Sequence, residues 1–201
     1  MERRDALKNL GLSIGGITMS STVVGLLQSC SGKSNLSWNP EIFESQEAEL
    51  ITKTLEVILP KTEDIPGATE LNLTQFIDGY IKHVSGSEEQ KSIKKLAEKY
   101  LSTTKATLGK KNVSDMTLDD IDSRLAYYLK ADKSQIDQWS NEDSDDASNY
   151  NFLNSLRSRG VSAFKMSEYI GEKVLAYSPI PGQQIGCVDL NEATGGKAWS
   201  I

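Results

Sequence analysis

Leu73-Thr74-Gln75-Phe76-Ile77-Asp78-Gly79-Tyr80-Ile81-Lys82-His83-Val84 carries the pattern on which the fold reading turns. Leu73, Phe76, Ile77, Tyr80, Ile81 and Val84 recur at intervals of three and four, the spacing that lines up side chains along one stripe of an α-helix. Upstream, Ser45 to Leu59 shows the same period through Ile51, Leu55, Ile58 and Leu59. Ser45 is placed to cap that helix and Pro60 to stop it. Between the two runs the polar connection Lys61-Thr62-Glu63-Asp64-Ile65-Pro66-Gly67-Ala68, with a Pro-Gly turn.

Downstream, a third helix is expected after Ser87, with Gln90 completing a capping box. Its buried side would be Ile93, Leu96, Ala97, Tyr100, Leu101 and Leu108, ending near Gly109, although Ser102-Thr103-Thr104 lowers helix propensity and argues for shortening. A fourth begins at Thr117, with Asp120 as capping-box acid, and turns Leu118, Ile121, Leu125, Tyr128 and Leu129 inward. Asp119, Asp120 and Asp122 lie where negative charge offsets the positive end of the helix dipole. A fifth is expected from Asn149 to Lys165 through Phe152, Leu153, Leu156, Val161 and Phe164, with Gly160 as a close-packing point or a bend. A shorter helix follows around Ser167 to Leu175. From Ser178 onward Pro179, Pro181, Gly182, Gly186, Gly195 and Gly196 disfavour regular structure, and no alternating stretch is long enough to support a sheet. The expectation is an all-α fold: a single helical domain over 45–201, of about five to six helices, with an irregular C-terminal tail.

A chain of 201 residues with 38% apolar and 25% charged residues has a globular composition, so one cored domain plus attachments is the natural division. The net charge is −6. Removing residues 1–29 takes away Arg3, Arg4 and Lys8 against Glu2 and Asp5 and leaves −7. A body this acidic repels phosphate backbones, and Lys94-Lys95 and Lys110-Lys111 are isolated pairs on solvated helix faces. No nucleic-acid partner is expected.

The N-terminal segment has a different character. Arg3-Arg4-Asp5-Ala6-Leu7-Lys8 precedes Leu10 to Leu27, which is free of charge but diluted by Gly11, Gly15, Gly16, Gly25 and several hydroxyl residues. That is the layout of a processing signal more than of a membrane span, although its length overlaps the shortest transmembrane helices. Arg3, Arg4, Leu7 and Lys8 resemble a twin-arginine export signal, which carries already folded cargo; Glu2 and Ala6 depart from the usual pattern. An amphipathic N-terminal helix on a cytosolic protein is the plain alternative, and it would place the glycines badly.

Leu26-Leu27-Gln28-Ser29-Cys30 resembles a lipoprotein processing box, with small Ser29 before the cysteine and aliphatic Leu27 three positions before it. Processing there makes Cys30 the first mature residue and its lipidation site. Each buried methylene contributes roughly 0.8 kcal/mol, so one acyl chain holds reversibly and two or three hold durably. An unmodified Cys30 would be a small hydrophobe. Residues 30–44 then read as lipidated cysteine and tether, with Trp38 either packing on the domain or facing a partner. The localisation implied is the bacterial cell envelope, lipid-anchored and facing the periplasm or the cell surface.

Chemistry of the chain's own is thinly represented. His83 is the sole histidine, beside the second helix's stripe and without a metal-ligand set nearby, so it reads as a surface or partly packed residue before a ligand or base. No strand-turn-helix elbow surrounds any serine. The acidic run from Asn141 to Asp146 would need Gly and Glu at the sixth and twelfth positions of a calcium loop, and has Asp146 and Phe152; it is a solvated loop or the first turn of the next helix. Zinc lacks ligand density, and the glycines near residue 15 belong to the export segment. No catalytic residue, cofactor site or metal site is assigned. Cys187 is left unpaired if Cys30 is lipidated, and reads as a buried thiol before a redox contact or a covalent link to a partner.

Several stretches together resemble the gluconate 2-dehydrogenase subunit 3 family from about Glu41 to Leu190. They are Ile58-Leu59-Pro60, Asp64-Ile65-Pro66-Gly67-Ala68, Phe76-Ile77-Asp78, Ser167-Glu168-Tyr169-Ile170-Gly171, Tyr177-Ser178-Pro179-Ile180-Pro181-Gly182 and Ile185-Gly186-Cys187. Ile65 stands where the family often has Thr. The resemblance implies a helical, non-catalytic subunit that helps export, stabilise and anchor a large FAD-dependent dehydrogenase subunit of the glucose-methanol-choline type. That partner oxidises a sugar, sugar acid or polyol and commonly passes electrons to a membrane cytochrome c. FAD is thereby implied in the partner, with no cofactor in this chain. Asp64, Pro66, Gly67, Tyr169, Tyr177, Pro179, Pro181, Gly182 and Cys187 become candidate partner-interface residues, with packing of the tail onto the chain's own helices as their other role. The competing function is a stand-alone helical envelope lipoprotein with a binding or structural role.

Overall fold

The structure is a computed structural model and describes residues 36–141, 144–179, 182 and 187–200. The expected signal over 1–29 with Arg3, Arg4, Leu7 and Lys8, the lipidation site Cys30, the tether up to residue 35, and Pro181 lie outside the described residues.

The periodic runs form α1 (Ser45–Ile58), α2 (Leu73–Val84), α3 (Ser87–Leu108), α4 (Leu118–Leu129), α5 (Lys133–Asn141), α6 (Asp145–Met166) and a short α7 (Leu190–Thr194). A 3₁₀ turn spans Val113–Asp115 and a π-helical turn spans Ile170–Val174. The described residues contain no strand, only an isolated parallel bridge between Ala176 and Trp199. The fold is all-α.

Helix α6 is the hub, packing on α3, α2, α4 and α1, while α1 also packs on α4, α2 and α3. The core sits between them: Leu50, Ile51 and Leu55 from α1, Ile77 and Ile81 from α2, Tyr100 from α3, Ile121 and Leu125 from α4, and Phe152, Leu153 and Leu156 from α6. Burying a side chain of this size contributes roughly 1.5–3 kcal/mol. A polar contact links α1 and α3 within this core. Thr54 Oγ1 donates to Leu50 O at 2.8 Å, so the Tyr100 hydroxyl, 3.2 Å away, donates to Thr54.

The segment ahead of α1 is held by α2. Buried Asp78 accepts the backbone N–H groups of Glu41, Ile42 and Phe43 at 2.7, 3.1 and 3.1 Å. Trp38 is half-buried against the core, which takes up the packing role foreseen for it. Lys53 of α1 donates to Val113 O and Met116 O, fixing the turn that leads into α4.

The helix ends follow sequence chemistry in part. Thr117 Oγ1 accepts from Asp120 N at 3.1 Å and Asp120 accepts from Thr117 N at 2.8 Å, the reciprocal box expected for α4. Gly109 closes α3 at φ +63°, a left-handed conformation that glycine adopts without a Cβ penalty. Elsewhere the caps shift. Glu44, rather than Ser45, is the N-cap of α1, and its N–H donates to Glu47 at 2.8 Å. Gly86 caps α3, which leaves Ser87 inside the helix and Gln90 donating to Lys82 O and Ser85 O. The Ser102-Thr103-Thr104 run does not shorten α3: Ser102 and Thr103 return their hydroxyls to Lys99 O, and Thr104 is fully buried. Helix α6 starts earlier than read, at Asp145, where Ser144 Oγ accepts Ala147 N at 3.1 Å and Asp145 and Asp146 occupy the first turn.

Candidate functional site: a partner-docking face

The loop after α1 is shaped from inside by one carboxylate. Glu56, in the last turn of α1, accepts Thr69 N at 2.8 Å and Lys61 N at 3.4 Å. Ala68 N donates to Leu59 O at 2.9 Å, so the chain folds back on the end of the helix that Pro60 terminates. Gly67 lies within this closure. A Cβ there would sit 2.5 Å from Glu56 Oε1 and 2.7 Å from Lys61 N, so glycine at 67 is required by close approach of backbone. Thr62 and Ile65 close the outer turn, with Thr62 N donating to Ile65 O at 2.9 Å.

Across from this loop stands Tyr169. Ser167 ends α6, Gly171 N donates to Ser167 O at 2.8 Å, and the π turn that follows buries Ile170 while leaving Tyr169 46% exposed. Asp64, Pro66 and Tyr169 line one open hollow of ≈ 520 Å³. Asp64 and Pro66, selected from sequence on one loop, and Tyr169, selected far along the chain, therefore meet at one place. On its rim Lys61 and Glu70 pair at 2.5 Å. Hydrogen bonding to Glu70 raises the Lys61 ammonium above its usual range, and the same bond lowers the Glu70 carboxyl.

A second, more apolar groove of ≈ 230 Å³ runs between α2 and α6. Phe76 (50% exposed), Tyr80 (46%) and Met166 (64%) form its apolar lip. The Phe76 and Tyr80 rings lie 6.2 Å apart. The sequence pattern placed Phe76, Tyr80 and Val84 with the buried stripe of α2. The structure corrects this: Leu73, Ile77 and Ile81 are covered, while Phe76, Tyr80 and Val84 are not. A stripe wider than one neighbouring helix can cover leaves one flank in water, and period alone does not say which flank.

The remaining candidates separate. Gly67 is buried and structural. Tyr177, Pro179 and Gly182 are exposed in the tail. Cys187, read as a buried thiol, is instead an exposed free thiol with φ +57°. The tail is tied back where Ala176 N donates to Ala198 O and Ser200 N donates to Ala176 O, each at 2.8 Å. His83 is exposed, 3.4 Å from a Glu41 carboxylate oxygen. Among the described residues no group of three His, Cys, Asp or Glu side chains is placed to hold a metal ion.

A polar cluster lies at the junction of α4 and α6. The Tyr128 hydroxyl accepts from Arg124 Nη2 at 2.9 Å and Asn149 Nδ2 at 3.0 Å, and donates to Asp146 at 2.9 Å. Burial pushes this phenol up to about 12. Arg124 stacks over the Tyr127 and Tyr128 rings, 5.7 and 5.1 Å from their centroids. The hydroxyl's one hydrogen and both its lone pairs are engaged within the fold, so this phenol serves packing and positioning.

The model of one family, gluconate 2-dehydrogenase subunit 3, matches residues 45–182. The chain belongs to that family. The match runs from the first residue of α1 through the hollow beside Tyr169 to Gly182, so it includes every residue lining the hollow and the groove. The family is, by its description, a subunit of a dehydrogenase. No curated protein and no solved structure matches the chain. Among the described residues no helix is long and apolar enough to cross a membrane.

Proposed function

We propose that this chain is the non-catalytic accessory subunit of a membrane-associated dehydrogenase: it helps export a large FAD-dependent partner, stabilises it and holds it at the bacterial envelope through lipid on Cys30. The family match over residues 45–182 carries this reading. The shape of the surface supports it. Large apolar side chains rimmed by polar groups are what a protein-protein contact uses, and Phe76, Tyr80, Met166 and Tyr169 supply them.

The division of labour follows from the chemistry of the two chains. FAD and the sugar, sugar-acid or polyol substrate belong to the partner, and this chain contributes surface and position. The twin arginines Arg3 and Arg4 suit a route that carries folded cargo, so a partner with its flavin already bound would cross with this chain. Acyl chains on Cys30 then hold the pair beside the bilayer, where a membrane cytochrome c can take the electrons.

Affinity isolation of the tagged full-length chain from detergent-solubilised membranes tests this. The expected product is a yellow complex whose absorbance is that of protein-bound flavin. Recovery of a colourless chain alone would sink the reading in favour of a stand-alone envelope lipoprotein. Mass spectrometry of the same material should find an acylated Cys30 as the first residue.

A further inference from the structure

We infer that the hollow beside Tyr169 and the groove at Phe76 form one docking surface, and that the partner segment seated on it is apolar with flanking lysine or arginine. This rests on the accessory-subunit reading and specifies its interface. Met166 lines the groove and Tyr169 lines the hollow. They are three residues apart, so their α-carbons lie within roughly 11 Å, inside the span of an ordinary interface.

The apolar side chains fix what the centre of the contact wants. Tyr169, Phe76 and Tyr80 are large rings with few rotatable bonds, so burying them costs little side-chain order for the area gained. Charge fixes what surrounds it. In the hollow Lys61 is already neutralised by Glu70, whereas exposed Glu63 and Asp64 form no ion pair with any described residue. At the groove, the one cation on the lining, Arg159, is matched by Glu89 at 2.6 Å. Among the residues lining the two depressions, the uncompensated charge is therefore negative.

That sign selects among occupants. A second copy of this acidic chain would bring carboxylates against carboxylates. An anionic lipid surface would be repelled in the same way. A basic-flanked apolar segment of the partner gains on both counts, and complementary charge also speeds the encounter.

The test uses the detergent-solubilised full-length chain and reads bound flavin per chain. Glu63→Lys with Asp64→Lys should lower retained flavin by about tenfold at low salt, since like charge faces like across the contact. Tyr169→Ala should lower it too, through lost area. The control Glu98→Lys with Asp122→Lys, which makes the same charge change at exposed sites on α3 and α4, should retain wild-type flavin, with all variants showing the same helical circular dichroism. Wild type and the Glu63/Asp64 variant equally yellow would overturn this surface while leaving the subunit reading intact. An equal loss in the control would reduce the effect to net charge and overturn it as well. Self-association of the wild-type chain abolished by the Glu63/Asp64 change would assign the surface to a second copy. A colourless wild type would overturn the underlying reading itself.

Discussion

The carboxylate of Asp78 lies 2.7 Å from the backbone nitrogen of Glu41 and serves as the anchor for the strand of chain that leads into α1. The same side chain accepts the next two N–H groups, so three backbone donors depend on one buried acceptor. Asp78→Ala should cost about 3–5 kcal/mol in denaturant unfolding, because hydrogen bonds to a charged group contribute about 1.5–3 kcal/mol each and their loss leaves donors unpaired. Asp78→Asn keeps one carbonyl oxygen and should lose about half as much. A cost below about 1 kcal/mol for the alanine variant would show that water replaces the carboxylate without penalty.

Gly67 and Gly160 make a second pair of expectations, with different outcomes. A Cβ at Gly67 meets the fixed backbone nitrogen of Lys61 at 2.7 Å, so Gly67→Ala must open the loop that carries Asp64 and Pro66. At Gly160 the Cβ meets Leu55 Cδ2 at 2.6 Å, the end of a fully buried side chain. Overpacking costs typically 1–3 kcal/mol, against which alanine gains up to about 1 kcal/mol of helix propensity. Gly160→Ala should therefore destabilise by about 1 kcal/mol and leave partner binding unchanged. Gly67→Ala should weaken binding more than its thermal shift explains.

These glycines show where reading a sequence succeeds. The Pro66-Gly67 turn was legible because the two residue types admit few conformations, and the capping pair Thr117 and Asp120 was legible because its spacing is local. Helix α5 was not anticipated: it offers Ile136 and Trp139 among polar residues, too few to set a period, and gains its stability from Trp139 stacking on Tyr127, Tyr128 and Tyr150. The same limit hid the groove. Phe76 and Tyr80 carry the core's residue types at the core's spacing, and only the positions of α6 and its last residue, Met166, reveal that the described residues leave both rings about half exposed. The hollow was half legible, since Asp64, Pro66 and Tyr169 were each singled out while their meeting required the fold.

Tyr128 gives an expectation at alkaline pH. Its phenol is raised to about 12, burial being the main cause, whereas in the unfolded chain it titrates near 10. Below pH 10 both states hold the proton and the network is intact. Between pH 10 and 12 the unfolded chain loses the proton first, so stability falls as pH rises through that window. Tyr128→Phe should flatten this fall. At neutral pH the same change should cost about 2 kcal/mol, because Arg124 and Asn149 lose their shared acceptor. An alkaline stability profile unchanged by the substitution would rule out Tyr128 as its source.

Glu47 shifts stability in the same sense, at the acid end of the scale. Its buried carboxyl is raised above its usual range, chiefly by burial and further by the neighbouring Glu44 and Glu98 carboxylates, with the Glu44 N–H and Lys94 pulling it back. An acid whose folded pKa exceeds its unfolded one contributes most when protonated. The contribution is complete below the unfolded value near 4.5 and is lost as pH climbs through the higher folded value, so at neutral pH the ionised side chain is a net cost. Glu47→Gln keeps an oxygen for the Glu44 N–H while removing the charge. It should raise the midpoint of urea unfolding at pH 7, by about 1 kcal/mol in stability, and leave it unchanged or slightly lower at pH 4, where the native side chain is already neutral. A variant less stable than wild type at pH 7 would mean that the negative charge at the start of α1 outweighs its burial, through the helix dipole that acidic residues there oppose.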